Sequence, residues 1–279
     1  MSISLKGSSR QSLVTTRAAF EKLISTADAR VASELSADLF AIAQVLDSSI
    51  ALRRALTDYA RDAVSKAALS KEVLHQITAR GAFTLFSSMV GLRWSSPRDL
   101  ADVVEVLGVE AESAATEKSS QLQLLESEIF GFAQIVSKNP DLRAIFADRT
   151  TGSLKKSDLV STLLSGKALN STISLISFLV DHPRGRNLEN GLTEFAEIIS
   201  ARKDRSIAHV ISASVLTSEQ ISRLTQALAK MTGKDIRVNV SVESDVVGGL
   251  SIQIGDELID GTMATRLTQA DRLLAGKSA

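Results

Sequence analysis

Between Ala29 and Asp47 the apolar residues Leu35, Leu39, Ile42, Ala43 and Leu46 recur at steps of three and four, while Glu34, Asp38 and Asp47 fall on the opposite side. That spacing predicts a helix with one buried stripe. The same period runs through Leu13, Phe20 and Leu23 from a start near Ser9. It returns through Leu52 and Leu56, through Val73, Leu74 and Ile77, over Phe83 to Leu92 and over Leu100 to Leu107. Pro97 suits the first turn of the last of these helices, where a missing N–H costs nothing.

Sliding the chain along itself reveals a repeat. At an offset of 90, Asp38–Asp58 falls on Glu128–Asp148 without a gap: Phe40 on Phe130, Ala43-Gln44 on Ala133-Gln134, Leu52-Arg53 on Leu142-Arg143. The same offset carries Lys66, Leu69 and Leu74 onto Lys156, Leu159 and Leu164, and Phe86, Met89 and Val90 onto Ile176, Leu179 and Val180. A repeat of that length, with five or six periodic segments per copy, predicts two helical bundles.

After the charged run Arg202-Lys203-Asp204-Arg205, read as a linker, the pattern changes. Ile207 to Val215 reads as a strand. Thr217-Ser218-Glu219-Gln220 supplies capping residues for a helix through Ile221, Leu224 and Leu228 to Gly233. Ile236 to Val242 alternates as a strand and is broken at Gly248-Gly249. A second alternation, Leu250, Ile252 and Ile254, precedes the Gly255-Asp256 turn and a short run to Ile259. Asp260-Gly261 then leads into a last helix, Arg266 to Leu274. The fold class expected is mainly α: two tandem helical bundles, 1–110 and 111–204, followed by a small α/β module, 205–279.

Composition narrows the function. Lys and Arg total 32, Asp and Glu total 32, so the chain is neutral and lacks the basic excess of a nucleic-acid module. It has no cysteine, hence neither disulfides nor thiolate metal sites. No run reaches the roughly 18 apolar residues a membrane span needs. Gly166-Lys167 and Gly233-Lys234 lack the upstream glycine of a phosphate loop, and Gly248-Gly249 lacks a strand-GxGxxG-helix setting. His75, His182 and His209 have no ligand at metal spacing, and no GxSxG elbow accompanies the serines. No catalytic residue, cofactor or metal is expected, and the partners expected are proteins.

One segment points to a particular family. Val247-Gly248-Gly249-Leu250, Ile254-Gly255-Asp256, Ile259-Asp260-Gly261-Thr262 and Arg266-Leu267 follow one another in an order and spacing that resembles the C-terminal signature of the delta subunit of bacterial F-type ATP synthases. The mitochondrial counterpart of that subunit is the oligomycin-sensitivity-conferring protein. Ala213 to Thr217 and Thr16 to Phe20 share in the likeness. The family's usual Tyr-Ala-x-Ala run is replaced by Thr15-Thr16-Arg17-Ala18-Ala19-Phe20, and its usual chain has a single bundle, so the second copy accounts for the extra length here.

The resemblance implies a noncatalytic stator subunit of the peripheral stalk, linking the catalytic head to subunit b and resisting rotor torque. It implies a location at the cytoplasmic face of the bacterial plasma membrane, reached only through the complex. It also implies a groove between the first and fifth bundle helices for N-terminal helices of alpha subunits. That groove falls at Ala18, Ala19, Leu23, Phe83 and Phe86 in copy one and at Ile173, Ile176 and Val180 in copy two. Subunit b is expected on the C-terminal module near Leu250, Ile252 and Ile254, with Gly248, Gly249, Gly255, Asp260 and Gly261 shaping the signature turns. A general helical-repeat adaptor for amphipathic helices is the alternative that the periodicity by itself leaves open.

Overall fold

The protein was analysed as a computed structural model that describes residue 5 and residues 7–74, 80–148, 152–205, 207–232, 236–242, 248–254 and 257–260. Contacts divide it into two compact units, Met1–Ser200 and Ala201–Ala279.

The first unit is helical. Its elements are α1 (Gly7–Thr26), α2 (Ala29–Ser48), α3 (Ile50–Thr57), α4 (Ala63–Leu74), α5 (Arg80–Val90), α6 (Pro97–Lys118), α7 (Leu122–Lys138), α8 (Pro140–Ala147), α9 (Ser153–Leu164) and α10 (Asn170–Asp181), with α11 (Leu188–Arg205) running on past its end. Local chemistry sets several starts. The Asp28 carboxylate accepts the Val31 N–H at 2.7 Å and the Ser49 hydroxyl accepts that of Leu52 at 3.1 Å, each relieving an orphan donor of a first turn. Ser96 caps α6 in the same way, with Pro97 in its first turn.

The bounds recur at the spacing seen in the sequence. α3 and α8 span 50–57 and 140–147, α4 and α9 span 63–74 and 153–164, and α5 and α10 begin at 80 and 170. α1 and α6 begin at 7 and 97, so α6 is both the sixth helix of the first series and the first of the second. The expected boundary between residues 110 and 111 therefore lies inside one continuous helix.

α6 is enclosed on nearly every side, with Leu100, Val103, Val104, Leu107, Val109, Ala111 and Ala114 in the core. Its apolar period fades after Leu107 because Glu105, Glu110, Glu112, Ser113 and Thr116 are also buried, each tied to a partner. Arg17 reaches Glu110 at 2.9 Å, and the Ser33 hydroxyl donates to Glu112 at 3.0 Å. α2 lies close along α6: the Ser36 hydroxyl donates to the Gly108 carbonyl at 2.8 Å, and a Cβ on Gly108 would sit 2.7 Å from the Phe40 ring. Phe40 in turn stacks on Phe178 of α10, ring centroids 4.0 Å apart. Burying one such side chain is worth about 1.5–3 kcal/mol, which makes this layer the main apolar tie between α2, α6 and α10.

The turn after α10 carries a second, ionic tie. Arg184, left-handed at φ 52 and followed by Gly185 at φ 81, reaches Asp102 at 2.7 Å, Asp47 at 3.0 Å, and Glu105. Arg186 bridges Glu105 and Glu194. Burial pushes the Asp102 carboxyl above its ordinary 3.8, while Arg184 and Arg98 pull the other way. A carboxyl with a raised folded pKa holds its proton longer in the folded than in the unfolded chain. Its contribution to stability therefore falls as pH rises through the interval just above 3.8. Asp102→Asn should flatten that part of the pH–stability curve, and denaturation midpoints taken across it check the effect.

The second unit is a four-stranded sheet with one helix. β1 (Ile207–Ser212), α12 (Ser218–Thr232), β2 (Arg237–Val242), β3 (Leu250–Ile254) and β4 (Glu257–Asp260) form a sheet of order β2-β1-β3-β4. β1 and β2 are parallel, as a helical crossover requires, and β1–β3 and β3–β4 are antiparallel. Ala208, Val210, Leu228, Ile236 and Ile252 make its core. The α12 start is a reciprocal capping box: the Gln220 side chain accepts the Thr217 N–H at 2.8 Å and the Thr217 hydroxyl accepts the Gln220 N–H at 3.2 Å.

Three sequence expectations change here. Arg202–Arg205 is the end of α11 rather than a linker, and β1 ends at Ser212 rather than Val215, because the Ser212 hydroxyl turns back onto Ser214. Leu250, Ile252 and Ile254 point at the unit's own core, since alternate residues of β3 share one face. Gly248 and Gly249 stand at φ 121 and 91, a backbone that disfavours a Cβ, which is why the strand break carries that pair. Gly255, Gly261 and the last helix lie outside the described residues. Asp260 ends β4, opposite Ser251.

Candidate functional site

α1 packs against α5, and the residues expected to line a groove there divide by exposure. Ala18 is exposed, Ala19, Leu23 and Phe83 are half-buried, and Phe86 is wholly in the core, where it backs the face without reaching solvent. Val14, four residues before Ala18 and so on the same helix face, is 60% exposed. The sequence reading passed over Val14. Val14 and Ala18 share their face with Arg17, Glu21 and Lys22, whereas Ala19 and Leu23 lie together on the far side of α1, Leu23 about 180° round the helix from Val14.

The second series differs. At the offset of 90, Ala18, Ala19 and Leu23 correspond to Gly108, Val109 and Ser113, all buried inside α6. Ile176 and Val180 are buried in α10, which α2 covers through the Phe40–Phe178 stack, and Ile173 is half-buried. The α6–α10 face is thus occupied by the protein's own α2, while the α1–α5 face is open. The correction to the copy-two residues has a steric cause: α6 serves both series and has no free side left.

On the second unit, Ile252 is buried and Leu250 and Ile254 are half-buried against its core. Exposed apolar residues lie instead on the two outer strands of the described sheet, Leu258 and Ile259 on β4 and Val242 on β2. Outer strands also leave backbone donors and acceptors unpaired, which suits addition of a partner segment. Their exposure follows from strand order, which the sequence does not display.

Among the described residues no three His, Cys, Asp or Glu side chains gather as a metal site, and no single helix is long and apolar enough to cross a membrane. His182 lies beside the Phe178 ring, His209 is exposed on β1, and His75 lies outside the described residues. The exposed apolar residues on the outer strands β2 and β4 give those strands the character of contact faces for other protein chains.

Comparison with known proteins agrees with that character. A family model described as "ATP synthase delta (OSCP) subunit" matches residues 110–274, from within α6 to near the C-terminus. "ATP synthase subunit delta" of Kineococcus radiotolerans is 39% identical over 90% of this chain and 91% of that one. The protein of the same name from Streptomyces avermitilis is 39% identical over 96% of this chain and 98% of that one. The first series of helices is therefore present in relatives of similar length. A chain of the Toxoplasma gondii mitochondrial ATP synthase hexamer is similar at a TM-score of 0.33 and 15% identity, covering 60% of this chain and 95% of that one.

Proposed function

The chain belongs to the ATP synthase delta (OSCP) subunit family, noncatalytic peripheral-stalk subunits of F-type ATP synthase that associate with the membrane-bound complex, and from that membership we propose which face holds which partner. The α1–α5 face receives an N-terminal helix of an alpha subunit, and the C-terminal unit holds the end of subunit b at the cytoplasmic face of the plasma membrane. Family membership takes the place of the general adaptor reading.

The observation that carries the proposal is the contrast between the two series. Ala19 and Leu23 on α1 and Phe83 on α5 are apolar and only half-buried, whereas Val109 and Ser113, the counterparts of Ala19 and Leu23 on α6, are enclosed beneath α2. A helix laid on such a face is anchored by a few large side chains and by small residues that permit close approach, here Phe83 and Ala19. The unit extending from α1 to α10 is then two overlapping bundles sharing α6, a stiffer link than two bundles joined by a flexible segment. A joint under torque calls for tight contacts, near nanomolar or about 12 kcal/mol.

Cross-linking and mass spectrometry of the complex purified from solubilised membranes tests the assignment. Lys22 on α1 is expected to link to the alpha N-terminus and Lys230 on α12 to subunit b. Links from α7 to α9 to the alpha N-terminus, with none from α1 or α5, would contradict it.

A further inference from the structure

A cavity of about 410 Å³ opens where the start of α1, the α3–α4 turn and the segment after α5 meet. Arg61, Lys66 and Arg93 line it together with Ser8, Tyr59 and the chain's one tryptophan, Trp94. Lys66 is only 4% exposed, and its ammonium has neither a hydrogen bond nor an ion pair among the described residues. Its counterpart in the second series, Lys156, is equally enclosed but donates to the Phe146 carbonyl at 2.8 Å. One of two equivalent lysines is satisfied internally and the other is left facing a cavity.

The surrounding charges leave that site cationic. Asp58 and Asp62 lie nearby in sequence but neither lines the cavity. Asp58 accepts the Ala60 N–H at 2.9 Å, and Asp62 accepts the Ser65 N–H at 2.8 Å and its hydroxyl at 2.7 Å. Only a loose 3.9 Å contact joins Arg61 to Asp58. At the offset of 90 the cavity residue Gly91 corresponds to Asp181, so the second series carries a carboxylate at a position where the first has none. An ammonium held at a cavity wall with no carboxylate lining it, beside two guanidinium-bearing residues, is suited to an external anion.

The cavity also marks one end of the α1–α5 face. Ser8 lies in the first turn of α1 and its hydroxyl lies 3.1 Å from that of Ser95, just beyond the cavity residues Gly91–Trp94 that follow α5. We propose that this cavity receives a side-chain carboxylate of the alpha-subunit helix docked on the α1–α5 face, with Lys66 and Arg93 as its cationic partners. The proposal rests on the docking reading above and adds to it a charge-specific end point that fixes how far the helix slides along the face.

Trp94 makes the site directly observable, because it is the chain's one tryptophan and can be excited selectively over Tyr59. The full chain would be titrated with a synthetic peptide of the alpha N-terminal segment, with the same peptide carrying Gln and Asn for Glu and Asp, and with inorganic phosphate. The acidic peptide should shift Trp94 emission saturably. Affinity should fall at least about tenfold for the amide peptide and for Lys66→Met, the loss expected of one charged hydrogen bond. Arg93→Glu, at an exposed position, should weaken binding likewise if Lys66→Met does not fold, and Lys156→Met should leave binding unchanged. Binding that is indifferent to the acids and to both variants would overturn the carboxylate pocket while leaving the docking face standing. Saturation by phosphate at the affinity of the peptide would overturn it too, in favour of a free-anion site. No binding of the native peptide at all would overturn both readings.

Discussion

Replacing Arg184 with Met is expected to destabilise the helical unit by about 3–5 kcal/mol, the cost of breaking a buried ion cluster from one side. The guanidinium, 6% exposed, is the shared partner of Asp47 on α2 and of Asp102 and Glu105 on α6. Methionine keeps most of the aliphatic stem but leaves three carboxylates converging on an apolar tip. Arg184→Lys should recover only part of the loss, because one ammonium cannot serve three acceptors in the fork geometry of a guanidinium. Denaturant titration of the full chain, read through Trp94 in the helical unit, isolates the relevant transition even if the two units unfold separately. A change under about 1 kcal/mol would place the cluster among surface pairs of little worth. The functional stake is that this cluster joins the α10–α11 turn to α2 and α6, so its loss should loosen the two series against each other.

The largest effect on assembly is expected from Ala19→Asp combined with Leu23→Asp. Both positions are half-buried on one side of α1, so the helical content of the variant is to be checked alongside its binding. Two carboxylates in the middle of an apolar helix contact should weaken alpha-peptide binding by more than about 30-fold, the equivalent of a hot-spot loss of 2 kcal/mol. Phe83→Ala should weaken it to a similar extent, with some cost in stability because the ring also packs on the core edge. Ile173→Asp on α10 serves as the comparison and should have no effect on binding. Titration calorimetry measures all three. Equal affinity for the double variant and the wild-type chain would remove α1 from the interface.

Element by element, the sequence discloses most where burial and apolarity coincide. The period over 29–47, the cap at Thr217–Gln220 and the alternation at Leu250–Ile254 all reappear as α2, the α12 start and β3. It discloses least where polar groups are buried. Glu110, Glu112, Ser113 and Thr116 read as a break after Leu107, yet they continue α6 through the core, the two glutamates with partners on α1 and α2 and the two hydroxyls donating to carbonyls of α6 itself. That single misreading places a boundary inside a helix and separates two series that share it.

The faces were legible only in part for a related reason. The period marks which residues are apolar but not which neighbour covers them. Phe86, Ile176 and Val180 therefore resemble Leu23 and Phe83 in sequence and differ from them only in what packs on top. Lys66 and Lys156 occupy matching positions, and what distinguishes them, the Phe146 carbonyl against a cavity, is not visible in the period. Leu258 and Ile259 became candidates only once β4 was seen outermost among the described strands.

The most direct test of the division of labour between the two units is a chain ended at Arg205, compared with the full chain in capture of the alpha N-terminal peptide and of the C-terminal segment of subunit b. The helical unit has its own core, so the shortened chain should fold and bind the alpha peptide with unchanged affinity while losing b altogether. Retention of b by the shortened chain would contradict the account.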